Sequence, residues 1–211
     1  MTPIREREIR TLTRPLELRS EGDGIGTLVG YASLFNVPFN PFYDWPEFTE
    51  VVHPDAFNRT LREMPDVLAL KNHNADKVLG RVSAGTLRLN LDQIGLGFEN
   101  DLPDNTDGRD SKVSVDRRDI TGCSIGFVTN KDDVVSDRDT GLITRTLLDV
   151  DLFEVTTVCT FPANQKTQVS VRALIESRAS TSAPSPRPNL ELLRLILRRS
   201  GRRSLPIFPR S

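Results

Sequence analysis

The 211-residue chain is long enough for one full domain with a sizeable core and a short further segment. Apolar residues make up 37% and charged residues 27%, no apolar run is long enough to cross a bilayer, and Met1 to Glu6 opens no signal peptide. Two cysteines, Cys123 and Cys159, and two histidines, His53 and His73, stand in no ligand spacing, so neither a disulfide framework nor a metal centre is expected, and a reducing compartment is. The net charge of −1 hides an asymmetry: residues 176–211 hold eight arginines against two glutamates, +6, which leaves −7 for residues 1–175.

Residues 9–19 and 25–35 read as a hairpin turning at Glu21-Gly22-Asp23-Gly24, with Pro15 confining the first arm to an edge. Residues 35–48 gather six of the thirteen aromatics around Pro38, Pro41 and Pro46, a stiff loop that packs over a core edge or grips an extended substrate or partner chain. Pro54 opens a short helix whose Phe57, Leu61 and Met64 form one buried stripe, with His53 at its N-terminal edge as a structural hydrogen-bonder. Val67 to Leu70 is a short buried strand, and His73 stands just past its end among polar residues, either exposed on a loop or projecting into a site.

Val78 to Val82 begins another strand, and residues 86–91 and 95–99 form a hairpin across Asp92-Gln93-Ile94. Asn105 and Thr106 can cap a helix that runs to about Arg118. Next comes Gly122-Cys123-Ser124-Ile125-Gly126-Phe127, a hydroxyl between two glycines in an apolar run. A tight turn there would lift Ser124 clear of its neighbours, and N–H groups beside it could receive an oxyanion; the alternative is a buried, glycine-flanked serine within a strand. The spacing matches G-x-S-x-G, but Phe127 to Asn130 reads as strand rather than helix and both histidines precede the serine, which argues against an α/β-hydrolase elbow. Cys123 is the other nucleophile candidate, and as a strand neighbour of Ser124 it would point to the opposite face.

A polar loop is expected over 131–140, followed by strands at 141–150 and 152–159. Glu154 breaks the alternation there, inside the apolar run Leu152-Phe153-Glu154-Val155. A buried carboxylate needs a partner, either an imidazole or an arginine such as Arg145. Residues 176–188 read as a Ser/Pro-rich linker, and 189–211 as a basic tail opening with an amphipathic segment (Leu190, Leu193, Ile196, Leu197) that docks or is removed. No aromatic platform accompanies its arginines, so nucleic acid is not expected as a partner, nor is a membrane.

The succession of blocks is more specific than any one of them. It runs from Gly30-Tyr31-Ala32-Ser33-Leu34-Phe35 and Val51-Val52-His53-Pro54-Asp55-Ala56-Phe57 through Asn72-His73-Asn74, Leu79-Gly80-Arg81 and Asp92-Gln93-Ile94-Gly95-Leu96. It continues through Asp119 to Phe127 and Leu152 to Thr156, ending at Phe161-Pro162-Ala163. Over residues 26–172 the chain resembles the prohead proteases of tailed bacteriophages, serine endopeptidases that trim capsid precursors. The resemblance implies a mainly β fold with α (α+β), a closed or partly closed β-barrel with short surrounding helices like that of herpesvirus assembly proteases. It implies residues 1–175 as the protease domain and Ser124, His73 and Glu154 as the catalytic set. Gly122, Cys123, Ile125, Gly126 and Arg81 are the expected oxyanion or site support. Asp55, Asn74 and Cys123 depart from the glycine, aspartate and methionine usual in that family. The implied substrate is a major capsid or scaffold precursor, with cleavage of the chain itself and self-association also allowed, inside the assembling prohead in the host cytoplasm and not secreted. A catalytically silent assembly scaffold of the same fold is the alternative.

Overall fold

The computed structural model describes residues 6–13, 16–19, 24–42, 45–63, 66–159 and 175. Ten strands and two helices follow one another as β1 (Arg7–Thr13), β2 (Glu17–Arg19), β3 (Thr27–Leu34), β4 (Phe48–Val52), α1 (Asn58–Glu63), β5 (Leu68–Lys71), β6 (Asn74–Arg81), β7 (Leu87–Leu91), β8 (Gly95–Asp101), α2 (Thr106–Asp116), β9 (Gly122–Ser136) and β10 (Ile143–Cys159). The strands form two sheets, one ordered β1-β9-β10-β5-β6 with β4 pairing on β10, the other β2-β3-β8-β7. The described residues are mainly β with two helices of more than one residue, in keeping with the expected α+β class. The expected barrel is not formed by the described residues: β1 and β6 stand at the ends of one sheet path, β2 and β7 at the ends of the other.

Apolar side chains from the facing sheets fill the space between them, with Leu28, Ala32, Leu96 and Phe98 meeting Cys123, Ile125, Phe127, Val150 and Val155. The alternation along β9 follows from its period of two: the odd positions 123, 125 and 127 face the core, and Ser124 lies on the other side. Phe42, Trp45 and Phe48 of the aromatic loop make a second apolar cluster with Val134 and Ile175. Trp45 stacks on Phe48 with centroids 4.7 Å apart, so this loop packs over a core edge. Among the described residues no helix is long and apolar enough to cross a membrane.

Three sequence expectations are corrected here. The first predicted hairpin arm is split: residues 17–19 do pair with β3, but residues 7–13 leave for the other sheet and pair with β9. The predicted loop at 131–140 is strand as far as Ser136, its polar residues alternating in a ladder with β10. The two predicted strands at 141–150 and 152–159 are one 17-residue strand, kept continuous by bulges. Pro15, Met64, the linker at 176–188 and the tail at 189–211 lie outside the described residues.

Candidate active site

Ser124 lies near the start of β9, in the strand and not in a turn. It is opposite Thr11 of β1 and opposite Thr156 of β10, so three hydroxyl side chains line up across one sheet face. Ser124 has no solvent exposure. Its hydroxyl donates to the Arg10 carbonyl at 2.9 Å and accepts from Thr11 Oγ1 at 3.3 Å. Gly122, Cys123, Ile125 and Gly126 all pair with β1, and all but Cys123 also pair with β10, so they lie in a sheet rather than in an open loop. Cys123 faces the core, its Sγ donating to the Tyr31 carbonyl at 2.8 Å.

Glu154 reaches the face of Ser124 through a bulge. Leu152 is opposite Phe127 and Glu154 is opposite Gly126, so β10 advances two residues while β9 advances one. The extra residue, Phe153, inverts the alternation and is exposed, while Glu154 turns away from the core to which its run of neighbours belongs. Its side chain is 1% exposed.

His73 arrives from the opposite direction, on the β5–β6 hairpin. Lys71 pairs with Asn74, leaving Asn72 and His73 as a two-residue turn with φ of 52° and 57°. Two successive left-handed residues mark a type I′ turn, for which asparagine is well suited and histidine is an uncommon second member. The turn is pinned to β10: Asn72 N–H donates to the Val158 carbonyl at 2.9 Å and His73 N–H to Thr156 Oγ1 at 3.2 Å. His73 Nδ1 then lies 2.6 Å from Glu154 Oε1. An ionised carboxylate only accepts, so Nδ1 carries the proton and the basic lone pair of the neutral ring is on Nε2. Burial pushes the Glu154 carboxyl up, but the hydrogen bond and charge of His73, and then the charge and hydrogen bond of Arg7, outweigh it and hold the group below the usual carboxylate range.

Ser124 and Glu154 share one sheet face by strand register, and the turn brings His73 to Glu154 on that face, while the Ser124 hydroxyl is held by Arg10 and Thr11. Thr156, which sequence reading passed over, is the joint between them, opposite Ser124 and 3.1 Å from His73 Nδ1. Arg81 is engaged elsewhere, its guanidinium donating to the Asp66 carboxylate at 2.6 Å. His53 is the structural residue expected, its Nδ1 accepting the Asp55 N–H at 3.2 Å. Arg145, the alternative partner weighed for Glu154, instead meets Glu8, Glu50 and Asp132. The arginine on Glu154 is Arg7, which no motif marked. Among the described residues no cluster of three His, Cys, Asp or Glu side chains could hold a metal.

The family model of the caudovirus prohead serine protease matches residues 14–181. The chain belongs to that family. No curated protein matches the sequence. Among solved structures, the bacteriophage T4 capsid assembly protease gp21 is similar over 73% of this chain and 96% of its own, at 9% identity and a TM-score of 0.46. A prohead serine protease works on capsid assembly in the infected cell, which is the coarse setting expected from the sequence.

Proposed function

We propose that this prohead protease is a serine endopeptidase in which Ser124 is the nucleophile, His73 the general base and Glu154 the group that orients it. The observation that carries the reading is the 2.6 Å contact between His73 Nδ1 and Glu154 Oε1, on the sheet face that Ser124 occupies. A serine hydroxyl is a weak nucleophile at neutral pH and needs a base. In this scheme His73 Nε2 takes the hydroxyl proton as Oγ bonds to the scissile carbonyl carbon, and returns it to the departing amine. Water then hydrolyses the acyl-enzyme by the same proton route, releasing the acid and restoring Ser124. Glu154 fixes the tautomer and stabilises the transient imidazolium. The substrate is a capsid or scaffold precursor and, by the same chemistry, an exposed segment of the chain itself.

In the folded chain the Ser124 proton points to the Arg10 carbonyl. Attack therefore requires a rotation of Oγ toward His73 and an opening that admits the peptide. The same burial favours the second reading, a catalytically silent assembly scaffold in which Ser124 only staples β9 to β1. Co-expression with the cognate capsid precursor, together with fluorophosphonate labelling of the purified full chain, separates the two. Labelling and trimming present in the wild type and reduced at least about a thousandfold in Ser124→Ala support the peptidase. Trimming that persists in Ser124→Ala removes Ser124 as nucleophile, and a wild-type chain that neither labels nor trims supports the scaffold.

A further inference from the structure

β1 precedes residue 14, where the family match begins, yet it supplies the site with a charged side chain. Arg7 Nη2 lies 2.5 Å from Glu154 Oε1, the same oxygen that meets His73 Nδ1. The other carboxylate oxygen, Oε2, is buried and has no hydrogen-bond partner among the described residues. Among the described residues, the hydrogen-bond and ion-pair partners of this buried carboxylate are thus one imidazole and one guanidinium, converging on one oxygen.

We propose that Arg7 is a positioning residue of the candidate site: its guanidinium holds the Glu154 carboxylate in the orientation that receives the His73 Nδ1–H. The proposal rests on the peptidase reading for its consequence and on independent geometry for its existence. The room for the contact is made by Gly126. A Cβ there would lie 2.6 Å from Glu154 Oε1 and 2.9 Å from Arg7 Nη2, closer than side chains tolerate. The second glycine of the G-x-S-x-G motif is then a gap for an ion pair. An exposed ion pair would carry little weight, and the Arg7 side chain is 49% exposed, but Glu154 is 1% exposed and has lost its water. The backbone of Arg7 is also held. Its neighbours Glu8 and Arg10 point the other way into a buried cluster, so the strand that presents the guanidinium is anchored from behind.

The arginine draws part of the carboxylate's charge away from the ring. Loss of Arg7 would leave Glu154 to the imidazolium alone, favouring the protonated, non-basic form of His73. The remaining charges around the turn do not substitute for it: Lys71 of β5 and Lys77 of β6 both lie on Asp107 of α2, and the β9 residues on this face beside β1, Gly122, Ser124, Gly126 and Val128, are uncharged.

The test is an NMR titration of the histidine ring protons in the full-length chain, which has only His53 and His73. In Arg7→Gln the His73 midpoint should rise by about half a pH unit or more, with His53 unmoved, and Arg7→Lys should restore most of the difference. The acid limb of the fluorophosphonate labelling rate should move the same way. A His73 midpoint unchanged in a folded Arg7→Gln variant overturns the proposal, as does a loss of melting temperature that leaves the midpoint in place. If the wild type shows no Ser124-dependent labelling while the His73 midpoint still responds to Arg7, the peptidase reading falls and the Arg7–Glu154–His73 coupling stands.

Discussion

The two sides of β1 carry charge to opposite ends. Glu8 and Arg10 face inward and join Glu50 of β4, Arg145 of β10 and Asp132 of β9 in a buried network, with Arg145 2.7 Å from Glu8 and Arg10 2.5 Å from Glu50. Arg10 also lies over the Phe127 ring, 5.5 Å from its centroid. Arg7 and Thr11 face the other way and meet Glu154 and Ser124. In the inward network Arg145 alone hydrogen-bonds Glu8, Glu50, Asp132 and Thr129. The outward group makes fewer contacts, is open to solvent at Arg7 and includes a ring that can gain or lose a proton. Saturated buried charge fixes strands, whereas sparsely held charge leaves protons able to move.

That contrast breaks most sharply at Arg145. Arg145→Met should cost about 3–5 kcal/mol of stability in a denaturant melt, because three carboxylates lose a buried counter-charge together. Labelling of Ser124 by fluorophosphonate should fall only in proportion to the folded fraction, and a stable Arg145→Met variant would show the network to be dispensable.

Gly126→Ala should sharpen the comparison from the other side. Its Cβ would press on Glu154 and Arg7 without touching the inward network, so we expect a stability loss of about 1–3 kcal/mol and a labelling rate down by about tenfold or more. An alanine variant with unchanged labelling would mean that the ion pair can shift without consequence.

Acid provides the mildest probe. Burial pushes the Glu8 carboxyl up, but the Arg10 charge, the Arg145 hydrogen bond and charge, and Thr129 together bring it from 4.5 down to about 2. A depressed native value means that the stabilisation is full above pH 4.5 and is lost as pH falls toward 2. Melting temperature should decline through that window, and the decline should be shallower in Glu8→Gln, which has no such proton to bind.

Much of this was legible in the sequence, for reasons that differ by residue. The cap at Asn105 is where its side chain predicts it, accepting from Gly108 N–H at 2.9 Å. The hairpin of β7 and β8 follows from alternation and turn residues. Glu154 was visible as a violation of alternation, and the bulge at Phe153 explains how it leaves the apolar core for the face where His73 and Arg7 offset its burial. Of the two settings that Gly122 and Gly126 allow for Ser124, a tight turn or a buried strand, the structure has the strand: glycines suit a crowded strand as well as a bend, and only the neighbours distinguish them. Arg7 was invisible because its partner is 147 positions away, and no local pattern records which sheet a first strand will join.

The left-handed turn at Asn72 and His73 has one more consequence. A two-residue reversal clamped to its neighbouring strand by two backbone donors holds the backbone of His73 in place, and the Glu154 carboxylate holds its ring. Under the proposed peptidase scheme the ring is the fixed post and the serine side chain, a single-bond rotor, is the part that swings. Switching such an enzyme on would then demand a small torsional event at β9 and a gap in its cover, with the framework left standing.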